Sequence, residues 1–520
     1  MSDVLIVGAG PTGLVLAIWL AKLGMRPRII DKATEPGTSS RALAVQARTL
    51  EFYQQVGLAE AVVNRGHKVP ALNLWVKSAR AARVPVDDIG QGLSPFSFLL
   101  IFPQDEHERL LIERLREFGV EVERGTELIG FEDSGHAIRA SLRNIHGSDE
   151  TCSIAYVAGC DGAHSKVREV LNVGFQGGTY NHLFYVADVE AGGPPMDGEL
   201  HVDLDAADFL AVFPLKGDGR ARLIGSVRDD IEKDHDDLRF EDVQNRAIDN
   251  LKIELKRVNW FSTYRVHHRV ADSFRKGRAF LLGDAAHIHS PVGGQGMNTG
   301  IGDAVNLAWK LASALQQPAS SALLDSYEPE RIAFARRLVA TTDRAFTGVI
   351  NPSALAQFVR TQAIPGLAAA IFRVPLARRF LFRTVSQIAL NYRRGPLSSG
   401  RAGKLSGGDR LPWVTGQGTE VDNFRSLNSL SWQVHVYGEV TPDMKNLSDS
   451  RNIPLRNFRW QAEMARAGLA RDAVYLVRPD GYIALATSDR SASSMAAYLD
   501  QTHAIMAALS IQKIIKYRDK

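Results

Sequence analysis

Gly8-Ala-Gly10-Pro11-Thr12-Gly13 stands between a short apolar strand, Val4-Leu-Ile-Val7, and a helix predicted over 13–24, and Asp31 closes the next predicted strand, 26–30. Those residue types at that spacing suit a dinucleotide. The first glycine permits the tight turn, the second lets a pyrophosphate approach the backbone, and the third lets helix and strand pack closely. The positive end of the helix then faces the anion. Asp31, followed by Lys32, is placed to accept hydrogen bonds from an adenosine ribose. This loop alone does not separate FAD from NAD.

A second segment makes that separation. An apolar strand ending at Gly283-Asp284 delivers a carboxylate to its carboxyl end, where it can bind the ribityl or ribose hydroxyls of a second nucleotide half. The run His287-Ile-His289-Ser-Pro291-Val-Gly293-Gly294-Gln-Gly296-Met297-Asn298 then enters a helix near Asn298. Backbone N–H groups and the positive helix end there suit negative charge on the pyrimidine ring of a reduced flavin. His287 and His289 lack a third ligand at sensible spacing, so packing or a flavin-facing role is expected and no metal. Cys152 and Cys160 are the only cysteines, too few for a zinc site or a disulfide framework, and a reducing compartment is expected. No G-x-S-x-G appears, which removes the commonest hydrolase reading. No second strand–GxGxxG–helix unit is visible for a pyridine nucleotide.

Taken together, GAGPTG, Asp31, Ser40-Arg41-Ala-Leu, Arg48-Thr-Leu-Glu51, Cys160-Asp161-Gly162-Ala-His-Ser165 and the run from Gly283 to Ala312 resemble the single-component FAD-dependent aromatic hydroxylases, the phenol hydroxylase-like flavoprotein monooxygenases, over roughly residues 1–340. The resemblance implies bound FAD, NADPH or NADH as a transient reductant, O2, and an aromatic small-molecule substrate, phenolic or polycyclic, oxygenated through a flavin C4a-hydroperoxide. It places Arg41 and Gln104 near the flavin and Asp161 near the cofactor or the pyridine nucleotide. The expected cofactor set is therefore Gly8, Gly10, Pro11, Thr12, Gly13, Asp31, Lys32, Arg41, Gln104, Asp161, Gly283, Asp284, Pro291, Gly294, Gly296, Met297 and Asn298. No catalytic base is identified; Tyr264 and His182 are only candidates. Baeyer–Villiger oxygenation of a polycyclic natural product, or a non-catalytic flavin-binding partner, are the alternatives.

The elements that must position these residues read as α/β. A Rossmann-like FAD-binding domain over 1–175 and 266–350 is interrupted by an inserted antiparallel-sheet substrate domain over 176–265. A helical segment, 351–394, and a Gly/Ser/Pro-rich linker, 395–418, lead to a last α/β module, 419–520, that resembles the thioredoxin-like domain of phenol hydroxylase-like members. Val477-Arg-Pro-Asp480-Gly-Tyr482 matches that domain's usual turn. Ala484-Leu485-Ala486 stands where many relatives carry a Trp-Arg pair, and residues 400–520 hold no cysteine, which excludes dithiol chemistry there. Phe96–Phe102 and Phe209–Phe213 are the expected walls of the substrate pocket.

Composition agrees. A chain of 520 residues implies two or three domains, and 45% hydrophobic with 23% charged residues is ordinary for a soluble protein. Net charge of +4 leaves no nucleic-acid footprint. Val4 to Ala21 is uncharged over 18 residues, but it has no basic leader and glycines and a proline break it, so no stable membrane insertion is expected and the location is cytoplasmic. The segment 365–394, apolar and arginine-rich, is expected to pack on its own protein rather than on a membrane. A homodimer stays open.

Overall fold

Val4–Val7 is apolar and buried at every position, the pattern of a strand covered on both faces. It pairs in parallel with Pro27–Asp31 on one side and Tyr156–Gly159 on the other. This is a computed structural model that describes residues 3–37, 42–204, 209–227, 238–243, 246–290, 293–316, 321–350, 361, 366–367, 372, 374–415 and 422–503. Six strands form the first sheet, in the order Arg275–Lys276, Ala279–Leu281, Tyr156–Gly159, Val4–Val7, Pro27–Asp31, Val122–Arg124. Helix Pro11–Lys22 starts with proline where no N–H is needed and packs along helix Gly296–Gln316. The latter is buried without a break from Asn298 to Ser313, as a core helix must be.

The second sheet has eight strands, in the order His287–Ile288, Glu254–Ala271, Phe175–Gly192, Arg220–Ser226, Leu210–Pro214, Leu200–Asp203, Ala71–Val76, Ala79–Pro85. It reaches past 176–265, because Ala71–Val76 and Ala79–Pro85 join it from Lys68–Pro85, a stretch that reads as basic and proline-containing in sequence. Ala79–Pro85 buries only Ala82 and Val84, so its arginines mask the periodicity of an edge strand. The sheet is not wholly antiparallel either: Leu200–Asp203 runs parallel to Ala71–Val76. One face, with Tyr185, Ala187, Val212 and Leu223, is sealed by Phe240, Val243, Ala247 and Ile248. On the other face Phe213 and Ile224 pack toward Leu43 and Ala44, beside the first domain.

The C-terminal sheet runs Leu405–Ser406, Ser399–Ala402, Ile483–Thr487, Val474–Val477, Gln433–Tyr437, Leu455–Phe458. Two of its strands therefore come from the Gly/Ser/Pro-rich 395–418 stretch that reads as a linker. Helix Pro375–Val385 docks through Phe382 on Ala47 and Ile388 but leaves Leu376 and Phe380 exposed; most of 351–373 lies outside the described residues.

A buried polar joint fixes the C-terminal module. Arg478 donates to Glu330 at 2.7 and 3.0 Å and to Asp480 at 3.0 and 2.6 Å, all three side chains being 0 or 1% exposed. Glu330 also accepts from Lys310 Nζ at 2.8 Å and Asn306 Nδ2 at 2.7 Å, while Trp309 Nε1 donates to Asp480 at 3.1 Å. Nearby, buried Glu51 accepts from Arg48 at 2.8 Å, from Arg410 Nε at 2.8 Å and from Ser94 at 2.7 Å. Buried charges demand such pairing.

Burial by itself would raise the Glu330 pKa, but Arg478 and Lys310 outweigh it and hold the carboxyl down from 4.5 to about 2. A carboxyl depressed on folding stabilises above its unfolded pKa, and that contribution is lost as pH falls from about 4.5 toward 2. Denaturant titrations across that window should show stability falling with acid. In Glu330→Gln the slope should be shallower by up to one proton, about 1.4 kcal/mol per pH unit; an unchanged slope would contradict this assignment.

Candidate active site

The glycines of the first loop divide into two kinds. A Cβ on Gly8, at φ +102°, would lie 2.3 Å from the Cys160 carbonyl oxygen, and one on Gly13 would lie 2.0 Å from the Gly8 oxygen. A Cβ on Gly10 would meet nothing within 4 Å. Gly8 and Gly13 are thus glycine for packing, while Gly10 keeps an open side at the start of helix Pro11–Lys22. A cavity of about 490 Å³ adjoins it, bordered by Gly8, Gly10, Asp31, Lys32, Asp161 and Gly162. Asp31 accepts from the Ala9 N–H at 2.7 Å and the Ala33 N–H at 2.9 Å, with Arg124 Nη1 3.6 Å away. Gln104 donates to Glu108 at 2.7 Å; burial pushes that carboxyl up.

Asp161 shapes its own loop. One carboxylate oxygen accepts from Ser165 Oγ at 2.6 Å and the other from the Lys166 and Val167 N–H groups at 2.7 and 3.1 Å. The neighbouring Cys160 thiol has its pKa pushed well up by burial, so it offers no thiolate.

Gly283 meets the first loop at Thr12, whose Oγ1 would lie 2.7 Å from a Cβ on Gly283 and 2.3 Å from one on Gly300. The two segments distant in sequence are therefore one wall. Behind it Asp303, fully buried, accepts from the Gly283 N–H at 3.0 Å, pairs with His287 Nε2 at 2.7 Å and accepts from Arg331 Nε at 2.6 Å. Burial opposes ionisation of Asp303, yet Arg331 and His287 hold its carboxyl below the usual range. His287 is thereby explained as a support, and among the described residues no cluster of His, Cys, Asp and Glu could hold a metal. Asp284, on the same turn, is exposed.

The glycine-rich loop is held by Asn298. Its Nδ2 donates to the Ala44 and Gly294 carbonyls at 2.9 and 2.8 Å, and its Oδ1 accepts from the Gln46 N–H at 2.9 Å and Thr49 Oγ1 at 2.7 Å. All four hydrogen-bonding positions of the amide are used, so only its backbone remains for a ligand. Gly293 and Gly294 have positive φ, and a Cβ on Gly294 would lie 2.7 Å from that of Ala44. His289 Nδ1 lies 2.8 Å from the Ser290 carbonyl, to which it must donate. Burial holds the His289 pKa down at about 4, so the ring is neutral at pH 7 and Nε2 is a bare acceptor. Nε2 is buried without a partner among the described residues, beside Gly296.

The sheet face turned toward this loop carries Arg222, 1% exposed, which donates to Asp188 at 2.5 and 2.7 Å and lies 5.6 Å from the Trp260 ring. Phe213 stands on the same face, whereas Phe102 is wholly core, packed on His107. Phe96 and Phe98 sit edge to face at 6.4 Å, and Phe209 packs with Tyr180 and Tyr264.

The structure thus gathers Gly8, Gly10, Asp31, Lys32 and Asp161 around one cavity, joins them through Thr12 to Gly283, and ties Gly294 and Asn298 to 44–49. Arg41 and Pro291 lie outside the described residues. The sequence reading missed Asp303, Arg331, Glu108 and Arg222. A signal existed for the first: Asp303, Asn306 and Lys310 mark one polar stripe at helical spacing in an otherwise apolar run.

Gly10's open side, the adjoining cavity and the orphaned His289 acceptor fit a dinucleotide laid from the first loop toward the second. Residues 1–342 match the FAD binding domain family. The 6-methylpretetramide 4-monooxygenase of Streptomyces rimosus is 36% identical over 416 residues, 78% of this chain and 72% of that protein. The pentachlorophenol 4-monooxygenase of Sphingobium chlorophenolicum is 31% identical over 422 residues, 79% of this chain and 75% of its own length. The solved anhydrotetracycline hydroxylase OxyS of Streptomyces rimosus superposes with a TM-score of 0.77 at 29% identity, covering 97% of this chain and 99% of that one.

Proposed function

The chain belongs to the FAD-binding family of flavoprotein aromatic monooxygenases, and from that premise we propose that it hydroxylates a phenolic or polycyclic aromatic compound with O2 and NADPH or NADH. It is an enzyme, and its cofactor is FAD. FAD held here would supply the redox chemistry, by which two electrons from the pyridine nucleotide would reduce O2 with one atom entering the ring and the other leaving as water. The observation that carries the reading is the single wall built at Thr12 from the two distant glycine segments. Gly10 and the start of helix Pro11–Lys22 take the pyrophosphate, Asp31 the adenosine ribose and Asp284 the ribityl hydroxyls. The N–H groups of 294–298 would hold the flavin's pyrimidine edge, and the unpartnered His289 Nε2 would accept a hydrogen bond from it. Asp161, with its oxygens committed to 165–167, holds the Gly162 turn against Gly8.

The substrate lies on the sheet face of Phe213, Ile224 and Trp260, where apolar walls exclude water and the Arg222–Asp188 pair supplies one polar anchor. Similarity to the 6-methylpretetramide 4-monooxygenase and to the anhydrotetracycline hydroxylase OxyS supports a polycyclic substrate in preference to a simple phenol. The C-terminal order strand–helix–strand–helix–strand–strand–helix, with Gln433–Tyr437 parallel to Leu455–Phe458 and antiparallel to Val474–Val477, supports a thioredoxin-like module. Lacking cysteine, it serves the joint rather than thiol exchange.

Asp284→Ala tests the cofactor assignment. Its side chain is exposed, so the variant should fold, yet losing a charge-assisted hydrogen bond of about 1.5–3 kcal/mol should weaken FAD tenfold or more. Full flavin absorbance retained through dilution and gel filtration would show that Asp284 does not hold the cofactor.

A further inference from the structure

Away from the Gly8–Gly13 loop a second cavity, of about 570 Å³, opens where helix Pro375–Val385, residues 388–393 and the C-terminal module meet. Its size is that of a small-molecule site. Six cations border it, Arg379, Arg383, Arg393, Lys404, Arg410 and Arg466, against two carboxylates, Asp409 and Glu463. Arg410 is committed to Glu51, Arg393 to Asp409 at 2.7 and 2.9 Å, and Arg466 to Glu463 at 3.4 Å. That leaves Arg379, Arg383 and Lys404, whose side chains make no hydrogen bond or ion pair among the described residues. The crowding is costly: burial first, then the fields of Arg410 and Arg379, push the Arg383 pKa down. Cations assembled against their own repulsion are stabilised by an anion between them. Trp413, Leu390 and Leu405 add an aromatic and apolar side to the same cavity.

We propose that this cavity binds an organic phosphate carrying a planar ring, the chemistry of a nucleotide, with Arg379, Arg383 and Lys404 holding the phosphate oxygens and the ring lying against the apolar side. Guanidinium forks match phosphate oxygens in pairs, and indole offers a flat face. The wall at Ile388–Leu390 follows Gln387, which donates to Gln295 Oε1 at 2.6 Å and Thr299 Oγ1 at 3.0 Å, where the cofactor-loop helix begins. The nucleotide is either the phosphoadenosine end of NADPH or a separate effector; the first source rests on the proposed oxygenase activity.

Calorimetry on the holoenzyme at low ionic strength, with 2′,5′-ADP as probe, tests the site. The wild type should bind it, added salt should weaken it, and Arg379→Ala with Arg383→Ala should weaken it at least about tenfold with flavin absorbance unchanged. No binding to the wild type, equal binding to the double variant, or inorganic phosphate binding as tightly as 2′,5′-ADP would overturn the proposal. Kinetics separate the sources. A raised KM for NADPH with kcat unchanged assigns the site to the reductant, and an unchanged KM with probe binding lost assigns it to an effector. Absence of NADPH oxidation in the wild type would count against the oxygenase reading, while probe binding measured by calorimetry would still decide the site.

Discussion

Arg478→Met should cost about 3–5 kcal/mol of stability, because it strands Glu330 and Asp480 as buried carboxylates rather than merely removing a favourable pair. Lys310 and Asn306 still reach Glu330, but Asp480 keeps only the Trp309 N–H and its own turn. The control is Arg65→Met, which breaks an ion pair with Glu113 whose side chains are 48 and 51% exposed; it should cost about 1 kcal/mol or less. Urea unfolding followed by tryptophan fluorescence would compare them, and similar losses in both would mean that the joint is not the structural lock. The same logic applies to truncation near Gly400, which strips Glu51 and Glu330 of Arg410 and Arg478 together. That fragment should be insoluble or inactive.

Asp303→Ala should combine a loss of comparable size with release of FAD. Three groups lose a partner at once: the Gly283 N–H, His287 and the buried guanidinium of Arg331, which keeps only the neutral Tyr392 hydroxyl and Thr299 carbonyl. Without the carboxylate, the turn that presents Asp284 loses its hold at the Gly283 N–H and keeps backbone bonds and the Arg168 bond to the Ala285 carbonyl. Asp303→Asn separates the two effects, since an amide oxygen can still accept from Gly283 but carries no charge for Arg331. It should keep more flavin than Asp303→Ala at equal stability. Equal flavin content in wild type and Asp303→Ala, measured where both are folded, would remove Asp303 from the cofactor wall.

What could be read from sequence was what is local. The Gly8–Gly13 loop, the buried Val4–Val7 strand and helix Pro11–Lys22 each declare themselves within one short window, by turn chemistry or periodicity. Asn298 shows the limit: its place on the glycine-rich loop was legible, but whether its amide faces a ligand or the protein depends on Ala44, Gln46 and Thr49, far away in sequence. Residues 71–85 hid because an edge strand buries one side only and wears arginine on the other. Strands Ser399–Ala402 and Leu405–Ser406 hid among glycines and serines, which look like a linker until Ile483–Thr487 offers a partner. The polar stripe of Asp303, Asn306 and Lys310 was legible, but the partners of Asp303 and Glu330 were not, because each pair joins residues from separate helices and turns.

Mass spectrometry of products formed from a panel of polycyclic aromatics and phenols, with NADPH or NADH under ¹⁸O2 in ordinary water, tests the central claim most directly. The expected product carries one ¹⁸O atom on an aromatic ring carbon, and the wild type forms it while FAD-depleted Asp284→Ala does not until FAD is supplied in excess. Ring oxygen derived from water, or no oxygenated product from any member of the panel, would contradict the account.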